Sequence, residues 1–172
     1  MDCVADAIII AMGSNLPGDY ASSTVLLEAA LSRFSGAGLN VLRRSRWWRS
    51  AAWPDPSGPE YLNGVVLVET SLPPEAVLAQ ILALEAQFGR RRDLRNDPRT
   101  LDLDLIAYGR SMIDTPDLVL PHPRAHERRF VMGPLAEIAP DWVHPALGET
   151  AANLAALAGV GADATPVARR SP

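Results

Sequence analysis

Residues 99–109 read RTLDLDLIAYG, and this stretch constrains the chain more than any other. A strand turns successive side chains to opposite faces. Leu101, Leu103 and Leu105 therefore share one face, and Asp102 and Asp104 share the other, roughly 6.5–7 Å apart. A chain carrying this segment must build a sheet that is buried on one side here and open to polar chemistry on the other. Two like charges side by side each resist ionisation unless something compensates them. Taken alone, a D-x-D of this kind is more often a solvated strand face with arginine partners than a site, by about two to one. The neighbouring segments decide.

Residues 7–12, AIIIAM, form a short β-branched apolar run ended by Gly13, the pattern of a buried central strand. GSNLPGD makes a turn, and Asp19 or Ser22 can cap a helix running to about Phe34, with Leu27, Leu31 and Phe34 on its buried stripe. A second strand is predicted over 39–50 and a Pro/Gly-rich loop over 51–60. A third strand covers 61–70, and a helix covers about 74–88 with Val77, Ile81, Leu84 and Phe88 on one face. Residues 90–99 read as a loop and 100–108 as the fourth strand, followed by a short strand at 118–120. A short helix over 130–139 is expected to break near Gly133-Pro134. The order is β-α-β-β-α-β plus a C-terminal extension. It predicts an α+β, ferredoxin-like core with a mainly antiparallel sheet flanked by helices. Residues 1–160 are expected to form one domain, and the Ala/Gly/Pro-rich 161–172 a flexible C-terminal tail.

Composition narrows the chemistry. The 172 residues suffice for one domain with a sizeable core, and 48% hydrophobic with 21% charged content is ordinary for a globular chain. A net charge of −4 argues against a protein that coats nucleic acid. All 16 basic residues are arginine, which rules out a P-loop, a protein-kinase strand lysine and a Schiff-base lysine. The single cysteine, Cys3, builds neither a disulfide framework nor a cysteine zinc site within one chain. The N-terminus has no basic n-region, and no apolar run nears the roughly 20 residues of a membrane span. A cytoplasmic protein that engages neither membrane nor nucleic acid is expected, with a monomer as the default.

The loop entering the aspartate strand carries Arg90, Arg91, Arg92, Arg95 and Arg99. Guanidinium groups suit phosphate oxygens, and paired carboxylates suit Mg²⁺, which binds through one or two carboxylates plus substrate phosphates. Together these are the parts of a phosphoryl- or pyrophosphoryl-transfer site. The loop by itself is equally well a solvated linker. PHPRAHERRF, 121–130, adds His122, Arg124, His126, Arg128 and Arg129, a further phosphate-facing wall. Metal ligation by His122 and His126 is the weaker reading, because their spacing needs a helix and the segment opens with two prolines. On the third strand Tyr61 and Asn63 face the same way. An amide can read a heterocycle edge, although a satisfied polar group in a sheet is the commoner case.

These residues resemble the family of 6-hydroxymethyl-7,8-dihydropterin pyrophosphokinases of folate biosynthesis. GSN after the first strand, YLN on the third, PRTLDLDLIAYG and LPHPRAHERRFVMGPLAEIAPDWVHP occur in the family's order and spacing, across roughly residues 7–148. The resemblance implies transfer of diphosphate from ATP, the co-substrate, to the pterin hydroxymethyl group, with AMP leaving. It implies two Mg²⁺ ions on Asp102 and Asp104. It implies a pterin pocket of Ser50, Ala51, Trp53, Tyr61, Asn63 and Phe130, with Phe130 stacking on the ring. It also implies ATP contacts from Glu85, Arg90, Arg92, Arg99, His122 and Arg128, of which Arg90, Arg92 and Arg99 join the aspartates in catalysis. The loops 50–60 and 89–98 would close over the substrates. This chain departs from the family in having Ser50-Ala51-Ala52 where Thr-Pro-Pro is usual, and Asn96-Asp97 where many members have Trp-Gly.

Two other classes compete. A ferredoxin-like sensor that binds a small ligand has no use for a metal pair beside an arginine loop. A metal-dependent nuclease or RNA-binding domain is disfavoured by the acidic balance and by the lack of aromatic-basic stacking motifs.

Overall fold

The computed structural model describes residues 4–52, 57–89 and 100–168. Strand β1 (Ile8–Ser14) is buried along its whole length, as its Ile8-Ile9-Ile10 run requires. Helix α1 (Ser23–Ser32) starts where the Ser22 side chain accepts a hydrogen bond from the Val25 N–H. Strands β2 (Asn40–Arg44), β3 (Trp48–Ser50) and β4 (Tyr61–Glu69) follow. Helix α2 (Pro74–Gln87) opens on proline, whose missing N–H costs nothing at that position. Gly89, at φ +89°, ends the turn that follows it. Next come β5 (Asp102–Tyr108), β6 (Ile113–Asp114) and β7 (Val119–Leu120). Helices α3 (Arg129–Ile138) and α4 (Ala151–Leu157) and strand β8 (Thr165–Pro166) are the last of the described elements.

The main sheet runs β5-β1-β4-β3-β8, with β2 also paired to β4, and all its strand pairings are antiparallel. With β2 and β3 taken as one interrupted strand, this is the expected βαββαβ arrangement. One face carries α1 and α2 over Ile8, Ile10, Met12, Val66, Val68, Leu101, Leu103 and Leu105. The other carries α3 and α4 over Ile9, Ala11, Val65, Leu67 and Ile106, with Met132 and Trp142 fully buried between them. No described helix is long and apolar enough to cross a membrane.

Three local expectations change. The predicted strand over 39–50 is split at Ser45, whose N–H donates to the Val65 carbonyl and whose hydroxyl accepts from the Val65 N–H. That pair of hydrogen bonds fixes the break, beyond which Trp47 packs on the α1/α2 side and Trp48 against Gly133 on the other. Helix α3 runs unbroken through Gly133-Pro134. Only the Phe130 carbonyl lacks its usual donor there, and Gly133 lets the helix lie against the Trp48 indole, where an added Cβ would come within 2.5 Å. The segment expected to fray from 161 instead docks as far as it is described, to 168. The Val167 N–H donates to the Trp47 carbonyl, and β8 pairs with β3. Isolated composition could not show that an unpaired edge waited there to satisfy its backbone groups.

Candidate active site

The register assembles the site. Asn63 on β4 lies opposite Gly13 on β1, and Gly13 lies opposite Asp102 on β5. One pleat further, Val65, Ala11 and Asp104 form the next row. Residues paired across an antiparallel ladder point to the same face. Asp104 thus shares the face of Ala11 and Val65, the one covered by α3 and α4. Asp102, Asn63 and Tyr61 continue that face past the end of the helical cover, where all are partly exposed. Beyond Asn63, β3 places Trp48 opposite Asn63 and Ser50 opposite Tyr61. This answers why one strand carries two carboxylates. Its leucines bury against α1 and α2, and its aspartates emerge where α3 stops covering the sheet.

Gly13 sits at the centre of the row. A Cβ built there would lie 2.5 Å from Asn63 Oδ1, so the Asn63 amide leans across the glycine toward the aspartate strand. Sequence reading marked GSN as a motif but did not find this role, because it belongs to a contact between strands about 50 residues apart.

Phe130 stands at the start of α3 on the same side of the sheet, with the Arg128 guanidinium 5.8 Å from its ring centre. Glu137 fixes the helix at its other end. Its carboxylate accepts from the Arg46 N–H (2.6 Å), Arg46 Nε (2.9 Å) and Trp48 Nε1 (3.2 Å). Burial pushes the Glu137 pKa up, but these bonds and the Arg46 charge outweigh it and hold the group below the ordinary carboxylate value.

His122 follows β7 and is tied to the back of the aspartate strand by its N–H, which donates to the Ile106 carbonyl at 2.8 Å. Its Nδ1 accepts from the Arg124 N–H at 3.2 Å, so the neutral ring carries its proton on Nε2. Burial lowers its pKa, the Arg128 and Arg124 charges add to that, and Asp102 opposes them. Arg128, Asp102 and Arg124 are therefore each near enough to act on His122.

Not every expected residue joins the group. Glu85 is 1% exposed on α2, in the layer on the opposite side of the sheet from Asp104. Ser50 is 7% exposed, while Ala51 is exposed beside it. Trp53, Arg90, Arg92 and Arg99 lie outside the described residues.

His144 is 5% exposed, and its Nδ1 accepts from both the Ala146 and Leu147 N–H groups at 3.1 Å. Burial, then the neighbouring His126 and Arg110, lower its pKa from 6.5. Between the lowered folded value and 6.5 the unfolded chain binds more protons, so stability falls as pH drops through that window and is complete above it. Thermal denaturation from pH 7.5 downward is expected to show a falling midpoint. His144→Asn should flatten part of the slope, and a flat wild-type profile would contradict the assignment.

The family model for 7,8-dihydro-6-hydroxymethylpterin-pyrophosphokinase matches residues 9–140. A Synechocystis 2-amino-4-hydroxy-6-hydroxymethyldihydropteridine pyrophosphokinase is 49% identical over 118 residues, covering 69% of this chain and 60% of that protein. The enzyme of the same name from Methylorubrum extorquens is 39% identical over 135 residues, covering 78% and 83%. The Pneumocystis carinii folic acid synthesis protein fol1 is 36% identical over 86% of this chain, which spans only 20% of that protein. Among solved structures, a Plasmodium falciparum HPPK-DHPS with pteroate superposes with a TM-score of 0.68 at 12% identity, over 87% of this chain and 44% of that one. At that identity the match speaks for the fold alone.

Proposed function

This chain belongs to the 7,8-dihydro-6-hydroxymethylpterin-pyrophosphokinase family, and from that premise we propose that it transfers diphosphate from ATP to 6-hydroxymethyl-7,8-dihydropterin in folate biosynthesis, releasing AMP. The observation that carries the reading is the row Asn63–Gly13–Asp102, with Asp104 one pleat away. It sets a heterocycle-reading amide and a carboxylate pair on one open face of the sheet.

The donor set suits magnesium. Among the described residues there is no group of three or more His, Cys, Asp or Glu side chains that could cage a metal. Mg²⁺ does not need one, since it takes one or two carboxylates and completes its shell with water and substrate phosphate. Asp102 and Asp104 would hold two such ions. When bound, they would neutralise triphosphate oxygens and spread the charge that develops on transfer.

The remaining work belongs to the protein. Asn63 offers a donor and an acceptor to the pterin edge. Phe130 stacks on the ring, and Tyr61, Ser50 and Ala51 close the pocket, to which the resemblance adds Trp53. The His122 Nε2–H donates to a phosphate oxygen, and Arg128 stands beside it. Arg90, Arg92 and Arg99 contribute further phosphate contacts on the strength of the motif that carries them. Alignment of the hydroxyl with the β-phosphorus then supplies most of the rate. We place the protein in the cytoplasm as a monomer, with residues 1–160 as its catalytic domain and the segment up to 168 packed onto it.

The test separates AMP from ADP after incubating the protein with ATP, Mg²⁺ and the pterin. AMP is expected only when all three are present. ADP in its place would mean an ordinary phosphotransferase and sink the proposal.

A further inference from the structure

The segment 160–167 lies beyond the residues that the family model matches, yet it grips the parts assigned above to the pterin pocket. At its start, the Arg129 N–H donates to the Val160 carbonyl and the Val160 N–H to the Glu127 carbonyl, at 2.8 and 3.0 Å. Gly161 follows at φ +68° and packs against the edge of the Phe130 ring, where a Cβ would come within 2.6 Å of the ring Cδ1. Two residues on, Asp163 Oδ2 accepts from the Ala51 N–H at 2.7 Å. Arg129 Nε then donates to the Ala164 carbonyl, and Thr165 and Pro166 pair with Arg49 and Trp48. One short stretch thus holds the stacking ring on α3 and the first residue after β3 at once.

We infer that residues 160–167 are a positioning strap for the pterin pocket, with Gly161 setting the Phe130 ring and Asp163 setting the 50–52 corner. The inference rests on the pyrophosphokinase reading. Its physical basis is preorganisation. The Ser50-Ala51-Ala52 corner lacks the prolines that would stiffen it from within, so its backbone freedom must be removed from outside. A carboxylate accepting one backbone N–H does this at a single point, and its charge strengthens the bond. Asp163 touches no reacting atom. It acts by keeping the pocket wall in the shape that fits the ring, so that binding does not bear the cost of ordering it.

Asp163 is exposed, so its replacement leaves the fold in place. The experiment measures KM for pterin and for ATP in wild type, Asp163→Ala and Asp163→Asn. A purely structural strap would lower the fraction of active enzyme and leave both KM values alone. A positioning strap raises the pterin KM of Asp163→Ala by about tenfold, with the ATP KM within about twofold. It also predicts that Asp163→Asn, which keeps an acceptor oxygen, recovers most of the loss. Unchanged pterin KM in an active Asp163→Ala variant, or an equal rise for both substrates, would overturn the strap while leaving the enzymatic reading intact. A wild type that makes no pterin-dependent AMP would overturn both.

Discussion

Asp102→Ala and Asp104→Ala are each expected to cut turnover by two to three orders of magnitude, about 3–4 kcal/mol of transition-state stabilisation. Both carboxylates are partly exposed, at the open end of the α3-covered face, and their alternating neighbours Leu101, Leu103 and Leu105 carry the burial. Removing either side chain therefore leaves the core untouched, and stability should move by no more than about 1 kcal/mol. Asp→Asn at either site separates charge from shape. It keeps the side-chain volume and loses the anionic oxygens, so it should fail nearly as badly as Asp→Ala. Steady-state kinetics with a parallel thermal melt checks both halves. A variant with an intact melt and full turnover would remove the carboxylate pair from the chemistry.

Gly13→Ala is the second large effect, and it acts at one remove. The strand itself would welcome alanine. Gly13 is absent from the positive-φ glycines, and replacing glycine in an extended segment stabilises by about 0.5–1 kcal/mol through the unfolded chain. The new methyl would, however, meet Asn63 Oδ1 at 2.5 Å. That atom ends a short side chain which can rotate, so the fold survives and the amide swings off its line. The pterin edge then loses its paired donor and acceptor, worth about 1.4–2.7 kcal/mol, or ~10- to 100-fold in pterin KM. The ATP KM should hold. Adding Gly13→Ala to Asn63→Ala should cost almost nothing more, because both remove the same contact. Additive losses would show that Gly13 serves something other than Asn63.

Sequence reasoning went far where the physics is local. The central strand read over 7–12, which the structure extends to Ile8–Ser14, follows from an unbroken β-branched apolar run, and the alternation of Leu and Asp in 101–105 and the shared face of Tyr61 and Asn63 follow from the two-residue repeat of extended backbone. The helices capped at Ser22 and opened at Pro74 follow from their end chemistry. Even the ferredoxin-like order follows from counting elements. The motif around Asp102 and Asp104, with PHPRAHERRF behind it, was enough to suggest the reaction class.

Other features were decided between segments. Nothing within GSN says that Gly13 will lie between Asn63 and Asp102, because that depends on two strand registers chosen by burial of Ile9, Ala11, Val65 and Ile106 against α3 and α4. The kink at Ser45 exists only because Val65 supplies both of its partners. Pro134 stays inside α3 because Gly133 can rest on Trp48, and packing there outweighs one lost backbone bond. Glu85, an expected nucleotide contact through the resemblance, is 1% exposed, and its burial is set by packing that its own segment does not reveal. Residues 160–167, poor in large apolar side chains, are held by backbone bonds to an edge they meet only after folding. A residue's own conformation and the face it presents are set by its covalent neighbours, and the sequence alone determined them. Which partners that face meets is set by the simultaneous burial and hydrogen bonding of distant segments, and only the tertiary structure decided it.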